Sequence, residues 1–170
     1  MIQTSEEKKV TYIKIFKNAS RSITKALFPN EYLLREWKGY KSFCIVRNPV
    51  DRFKSAVNMF MNRKKLSITG SDDLLDLIEY NKDPNEYSFI KMHCLPQTDP
   101  ENRLEEVTKV YRLENLKDDW EDLCTFVGLE EMPELVHIGK STTNLELTSE
   151  QKERIYNLYK KDFEELNYDI

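Results

Sequence analysis

Two short segments of this chain carry cations in settings where cations can do chemistry. Lys17-Asn18-Ala19-Ser20-Arg21-Ser22 arranges a lysine, an arginine, a carboxamide and two hydroxyls around a step of small residues. Arg47-Asn48-Pro49-Val50-Asp51-Arg52-Phe53-Lys54-Ser55 sets one arginine ahead of a proline and a serine eight residues on. In the first segment Ala19 and Ser20 let a backbone come close to a bound group, Lys17 adds a positive charge and Ser22 a hydroxyl donor. Where such a turn leads into a helix, its N–H groups and the helix dipole form an anion site. Arg47 is suited to clamp a phosphate through two parallel hydrogen bonds. The bland readings are a polar turn before a Ser-capped helix for the first segment, and, for Asp51, Arg52 and Lys54, a solvated helix face, which is the reading preferred for those three. There is no GxxxxGK, so the usual nucleotide P-loop is absent.

Both segments follow a strand pattern and precede a helical one. Thr11 to Phe16 alternates β-branched and aromatic residues, and Ile23, Ala26 and Leu27 then take a helical spacing that Pro29 stops. Ser42 to Val46 is a continuous apolar run, as expected of a strand covered on both faces. Pro49 suits a first helical turn, which leaves Arg47 at the strand tip and puts Ser55 about two turns along. Asp72 or Asp73 can cap a helix through Tyr80, and Asn85 to Met92 can form another. Val107 to Leu113 reads as a third strand, followed by Leu116, Trp120, Leu123, Cys124 and Val127 on one helical face that Gly128 stops. Thr148-Ser149-Glu150-Gln151 fits a capping box ahead of one C-terminal helix striped by Ile155, Leu158, Tyr159, Phe163 and Leu166. The alternation predicts an α/β fold, a short parallel sheet flanked by helices, with ligands at the carboxyl ends of the strands.

With 170 residues, 39% hydrophobic and 33% charged, the chain suits one domain over residues 1–170, with the polar stretch 1–9 expected to be flexible. A net charge of −4 argues against general nucleic-acid binding, which needs a basic surface. Cys44, Cys94 and Cys124 form no CxxC pair and read as buried thiols of a reducing compartment. No run of ~18 apolar residues offers a membrane span, and the N-terminus has no secretory pattern. The expected setting is therefore cytoplasmic and soluble, or the Golgi lumen if an anchor has been removed.

Taken together, the two cationic segments resemble the PAPS-dependent sulfotransferases, the carbohydrate and heparan-sulfate type above all. YIKIFKNASRSI is similar to their 5′-phosphosulfate-binding loop, and SFCIVRNPVDRFKSAV to their 3′-phosphate-binding segment, in which an arginine and a serine hold the phosphate. Those roles map onto Arg47 and Ser55. His93-Cys94-Leu95-Pro96-Gln97 resembles a His-x-x-Pro-Gln segment of the family. Tyr111 to Leu116 resembles its strand ending in Glu-Asn-Leu, and Tyr159-Lys160-Lys161-Asp162-Phe163 its Tyr-x-x-Asp-Phe helix. Phe16, Ser20 and Arg21 depart from the family, which often has proline, glycine and a hydroxyl residue there.

The resemblance implies a P-loop-like sulfotransferase fold and a sulfuryl transfer from 3′-phosphoadenosine 5′-phosphosulfate (PAPS) to a hydroxyl or amine of a small-molecule or glycan acceptor, with no metal. It implies that Lys17, Asn18, Ala19, Ser20, Arg21 and Ser22 bind the donor with Arg47 and Ser55, and that the polar segment His137 to Asn144 folds over the nucleotide with Lys140 or Ser141 near the 3′-phosphate, where the alternative is an ordinary loop. Lys17 is the expected partner of the leaving oxygen. His93 is the first candidate for the base, ahead of Asp51 and Glu114, and its alternative is a histidine that merely holds a loop. Arg63-Lys64-Lys65 reads either as a lure for an anionic acceptor or as a solvated helix end. Competing readings are a nucleotide-binding protein of the same fold without catalysis and, lower, a small nucleotide kinase.

Overall fold

The computed structural model describes residues 1–62, 68–80, 84–136, 138 and 145–169. Its strands are β1 (Ile2–Ser5), β2 (Val10–Ile13), β3 (Lys41–Val46) and β4 (Lys109–Arg112). Its helices are α1 (Ser20–Leu27), α2 (Pro49–Met61), α3 (Ser71–Tyr80), α4 (Pro84–Cys94), α5 (Trp120–Val127), α6 (Ser149–Leu158) and α7 (Lys160–Glu165). The chain divides into two compact units, each made of two stretches: Met1–Arg47 with Asp99–Lys140, and Asn48–Thr98 with Ser141–Ile170.

The first unit holds the sheet, ordered β1-β2-β3-β4. β2 pairs with β3 and β3 with β4 in parallel, as the βαβ alternation predicts, while β1 pairs with β2 antiparallel. The sheet is thus mostly parallel with one antiparallel edge. That edge lies inside the stretch expected to be flexible. Ile2–Ser5 pairs in register with Val10–Ile13, and the Thr4 hydroxyl meets that of Thr11 at 3.0 Å and donates to the Glu36 carbonyl at 2.6 Å. Thr4 and Ser5 are buried, yet their polar atoms are met, so a polar strand persists.

Residues Val10–Ile13 are all buried, and so are Ser42–Val46, consistent with strands covered on both faces. Tyr12 stacks on Phe43 at 4.8 Å, and with Ile45, Tyr111 and Val10 they meet Ile23 and Leu27 of α1 and Trp120, Leu123, Cys124 and Val127 of α5. Gly128 ends α5 in the left-handed region (φ 89°), its N–H on the Cys124 and Thr125 carbonyls. Burial pushes the Cys44 thiol up to about 12, which makes it a packing group and no nucleophile at neutral pH.

The second unit is helical. Phe53, Ala56, Val57 and Phe60 of α2 pack with Leu74 and Leu75 of α3, Ile90 of α4, and Ile155, Tyr159 and Phe163. The capping box is present: Thr148 Oγ1 accepts from Gln151 N, and the Gln151 side chain accepts from Thr148 N, both at 3.1 Å. The single C-terminal helix expected from the apolar stripe is instead two, broken at Tyr159 (φ −116°, ψ 24°). The break turns the Tyr159 hydroxyl onto the Cys94 carbonyl at 2.8 Å and starts α7 with a buried Asp162.

Candidate functional site

In the first unit, β2 ends at Ile13 and α1 starts at Ser20, and the turn between them is unusual. Lys17 (φ 69°) and Ala19 (φ 56°, ψ 21°) both stand in the left-handed region, with Asn18 between them outside it. A non-glycine residue there costs about 1–2 kcal/mol. Successive residues of alternating hand turn neighbouring N–H groups into one concavity, the geometry that holds anions. Ala19 is also the N-cap of α1 and has no side chain with which to cap the following N–H groups. The first turn of α1 carries no acid and one exposed cation, Arg21, against the usual preference for negative charge at a helix start.

Side chains pin this turn to the tip of β3. Buried Asn18 donates from Nδ2 to the Ile45 carbonyl at 2.8 Å. From the far side of Val46, half-buried Arg47 donates from Nη1 to the Lys17 carbonyl at 3.4 Å. The structure therefore brings Lys17, Asn18, Ala19 and Arg47 together at the carboxyl ends of two parallel strands, where α/β sheets gather ligands. Ser20 is buried, and Ser22 Oγ accepts from the Ile138 N–H at 2.9 Å, which ties residue 138 to α1.

Ser55 sits half-buried in α2 and His93 in α4, both in the second unit. His93 is 7% exposed as a residue, and its ring packs against Phe89 at 4.5 Å and Phe60 at 5.8 Å and sets Nδ1 2.9 Å from the Phe89 carbonyl. Asp51 is exposed in the first turn of α2, and Glu114 is exposed in a 3₁₀ turn, Leu113–Asn115. Lys140 and Ser141 lie outside the described residues, as do Arg63, Lys64, Lys65 and His137.

Arg52 corrects the expectation of a solvated face. It is 3% exposed and donates from Nη2 to the carbonyls of His93 (3.2 Å) and Leu95 (2.8 Å), capping the end of α4. Its spacing to Ala56 and Phe60, four and eight residues on, was the available signal that it shares the buried stripe. Asp162, 0% exposed, accepts from Gln97 N at 2.8 Å, Thr98 N at 2.9 Å and Thr98 Oγ1 at 2.8 Å. Asn48 caps α2, accepting from Val50 N at 2.9 Å and Asp51 N at 3.3 Å, with Pro49 in the first turn as expected. Among the described residues no group of three or more His, Cys, Asp or Glu is placed to hold a metal, and no helix is long and apolar enough to cross a membrane.

A family model described as the Sulfotransferase family matches residues 27–169. That stretch takes in Arg47, Ser55 and His93, and begins beyond the turn at Lys17. Among solved structures, a sulfotransferase from Alicyclobacillus acidocaldarius is similar at 18% identity and a TM-score of 0.47, over 89% of this chain and 61% of that one. The chain thus spans about three fifths of that protein. No curated protein matches.

Proposed function

This chain belongs to the sulfotransferase family, and from that premise we propose that it moves a sulfuryl group from PAPS to a hydroxyl or amine of a carbohydrate acceptor. The observation that carries the reading is the left-handed turn at Lys17 and Ala19, pinned by Asn18 and Arg47 to the tip of β3. Its concavity suits the 5′-phosphosulfate, with Lys17 to Ser22 around it, and Arg47 beside it suits the 3′-phosphate. The assignments of Ser55, Lys140 and Ser141 to the nucleotide rest on the resemblance of their segments alone.

In the transfer, the acceptor oxygen forms a bond to sulfur as the bond from sulfur to the bridging oxygen of the nucleotide breaks. Negative charge gathers on that leaving oxygen, and the acceptor proton passes to a base. Lys17 and the turn's N–H groups meet that charge as it develops, which is how a fixed cation accelerates a reaction rather than only tightening binding. His93 is enclosed by Phe60 and Phe89, and we read it as fixing the end of α4. His93→Asn should therefore leave the acidic limb of the rate–pH profile in place. Disappearance of that limb would return the base role to His93.

The test is labelled PAPS with a panel of glycans, run beside calorimetric titration of the desulfated nucleotide PAP. Wild-type protein is expected to transfer label, and Lys17→Ala to lose about 10²–10³-fold in turnover. PAP binding without transfer to any acceptor would favour a nucleotide-binding protein without catalysis, a reading that Arg21 in place of a family hydroxyl supports. Tighter binding of ATP with magnesium than of PAP would favour a kinase.

A further inference from the structure

The second unit carries a hollow that the donor reading does not use, at the turn where α7 ends. Asn167 stands in the left-handed region (φ 51°), the conformation in which helices commonly reverse, and the reversal brings the Tyr168 N–H back onto the Phe163 carbonyl at 3.0 Å. Asn48 fixes the chain beyond the turn, donating from Nδ2 to the Asp169 carbonyl at 3.3 Å. The segment is thus tied on both sides of the turn. Against it lies an open hollow of about 540 Å³ lined by Tyr156, Phe163, Glu164, Asn167, Tyr168 and Asp169.

Half of that lining is aromatic. Tyr156 and Phe163 lie 5.4 Å apart with their rings at 48°, and Tyr156 and Tyr168 are both half-buried against the helical core. The rest is two carboxylates and a carboxamide, all on exposed residues, and no lysine, arginine or histidine joins them among the described residues. Glu164 meets Lys160 of the same helix at 3.7 Å, an exposed pair that water screens, and among the described residues Asp169 has no cationic partner.

Ring faces are electron-rich, and the two carboxylates add to their field, so the hollow attracts positive charge. A bare divalent ion is held by six or more oxygen ligands at close range, whereas two acids beside broad apolar walls offer few. Such walls suit a cation whose charge is spread over an alkylated or planar frame and is weakly hydrated, an alkylated ammonium or a guanidinium. We infer that Tyr156, Phe163 and Tyr168, with Glu164 and Asp169, form a binding site for an organic cation. The site shares no residue with the donor reading and stands or falls apart from it.

Titration calorimetry on the full chain compares choline with its uncharged isostere 3,3-dimethylbutan-1-ol and with N-acetylargininamide, a mimic of a partner protein's arginine. At least one of the two cations should bind about tenfold or more tightly than the alcohol. Preference for choline assigns the site to a free small cation, and preference for the arginine mimic to the side chain of a partner. Glu164→Gln/Asp169→Asn should weaken that cation about tenfold. Tyr168→Leu should weaken it about three- to thirtyfold and Tyr168→Phe less than about twofold, because the ring and not the hydroxyl carries the attraction. Urea midpoints and circular dichroism report the fold of each variant, and should Tyr168→Leu fail to fold, the two exposed acids still decide the matter. Equal binding of the alcohol, no binding of either cation at about 10 mM, or cation binding unchanged when both acids are neutralised would overturn the inference.

Discussion

Two arginines five residues apart, Arg47 and Arg52, show how differently the two units use polar groups. Arg47 is half-buried at a strand tip and donates to the Lys17 carbonyl at 3.4 Å, beside the left-handed turn. Arg52 is buried against two carbonyls, lies 6.0 Å from the centre of the Tyr159 ring, and belongs to a latch that also contains Asp162, Gln97 and Thr98. Around Lys17 the backbone is strained and cationic, and around Asp162 it is relaxed and its donors are met. Backbone strain marks a place where a ligand can repay a cost, whereas a satisfied buried network marks a place that fixes the fold. The two segments singled out from the sequence, His93 to Gln97 and Tyr159 to Phe163, both fall in the latch.

The comparison breaks most readily at Asp162. Asp162→Ala removes the acceptor of three buried hydrogen bonds and should cost about 3–5 kcal/mol in urea unfolding. A loss under about 1 kcal/mol would mean the latch does not fix the fold. Arg47→Ala, by contrast, should leave unfolding nearly unchanged and weaken PAP binding about 10–100-fold, with a much smaller effect on adenosine 5′-phosphosulfate, which lacks the 3′-phosphate. Equal losses for the two nucleotides would remove its assigned role.

Smaller effects sharpen the same contrast. Ala19→Gly relieves a left-handed residue and should raise stability by about 0.5–1 kcal/mol, read as a higher urea midpoint. A drop would show that the turn is not strained. Tyr12 lies in the core with its hydroxyl buried and no hydrogen-bond partner among the described residues. Tyr12→Phe should be neutral or stabilising by up to about 1 kcal/mol, again by urea midpoint, and a loss beyond that would reveal a partner.

Much of this was readable from residue types alone because the signals are local. Pro49 and Asn48 at the start of α2, Gly128 at the end of α5, and the Thr148/Gln151 box each act within four residues of the chain. The turn at Lys17 was legible as a place, from small and cationic residues between a strand and a helix. Its left-handed geometry was not, because Lys and Ala are poor markers for it. β1 escaped notice because Gln3, Thr4 and Ser5 read as polar, and what buries them is some thirty residues away, at Glu31, Leu34 and Glu36. The break at Tyr159 escaped for the same reason, since the apolar stripe runs through it and only its bond to Cys94 explains it.

The order of segments along the chain sets a delay during synthesis. β4 pairs beside β3, yet residues 47–108 are translated between them, and at about 5–20 residues per second they take roughly 3–12 s. Throughout that interval one edge of β3, with Phe43, Cys44 and Ile45 at its centre, has no strand to cover it, and such an edge invites pairing with other chains. Nascent copies crowded on one messenger are therefore most prone to stick together after Val46 emerges and before Arg112 does, the window in which a ribosome-bound chaperone would help them most.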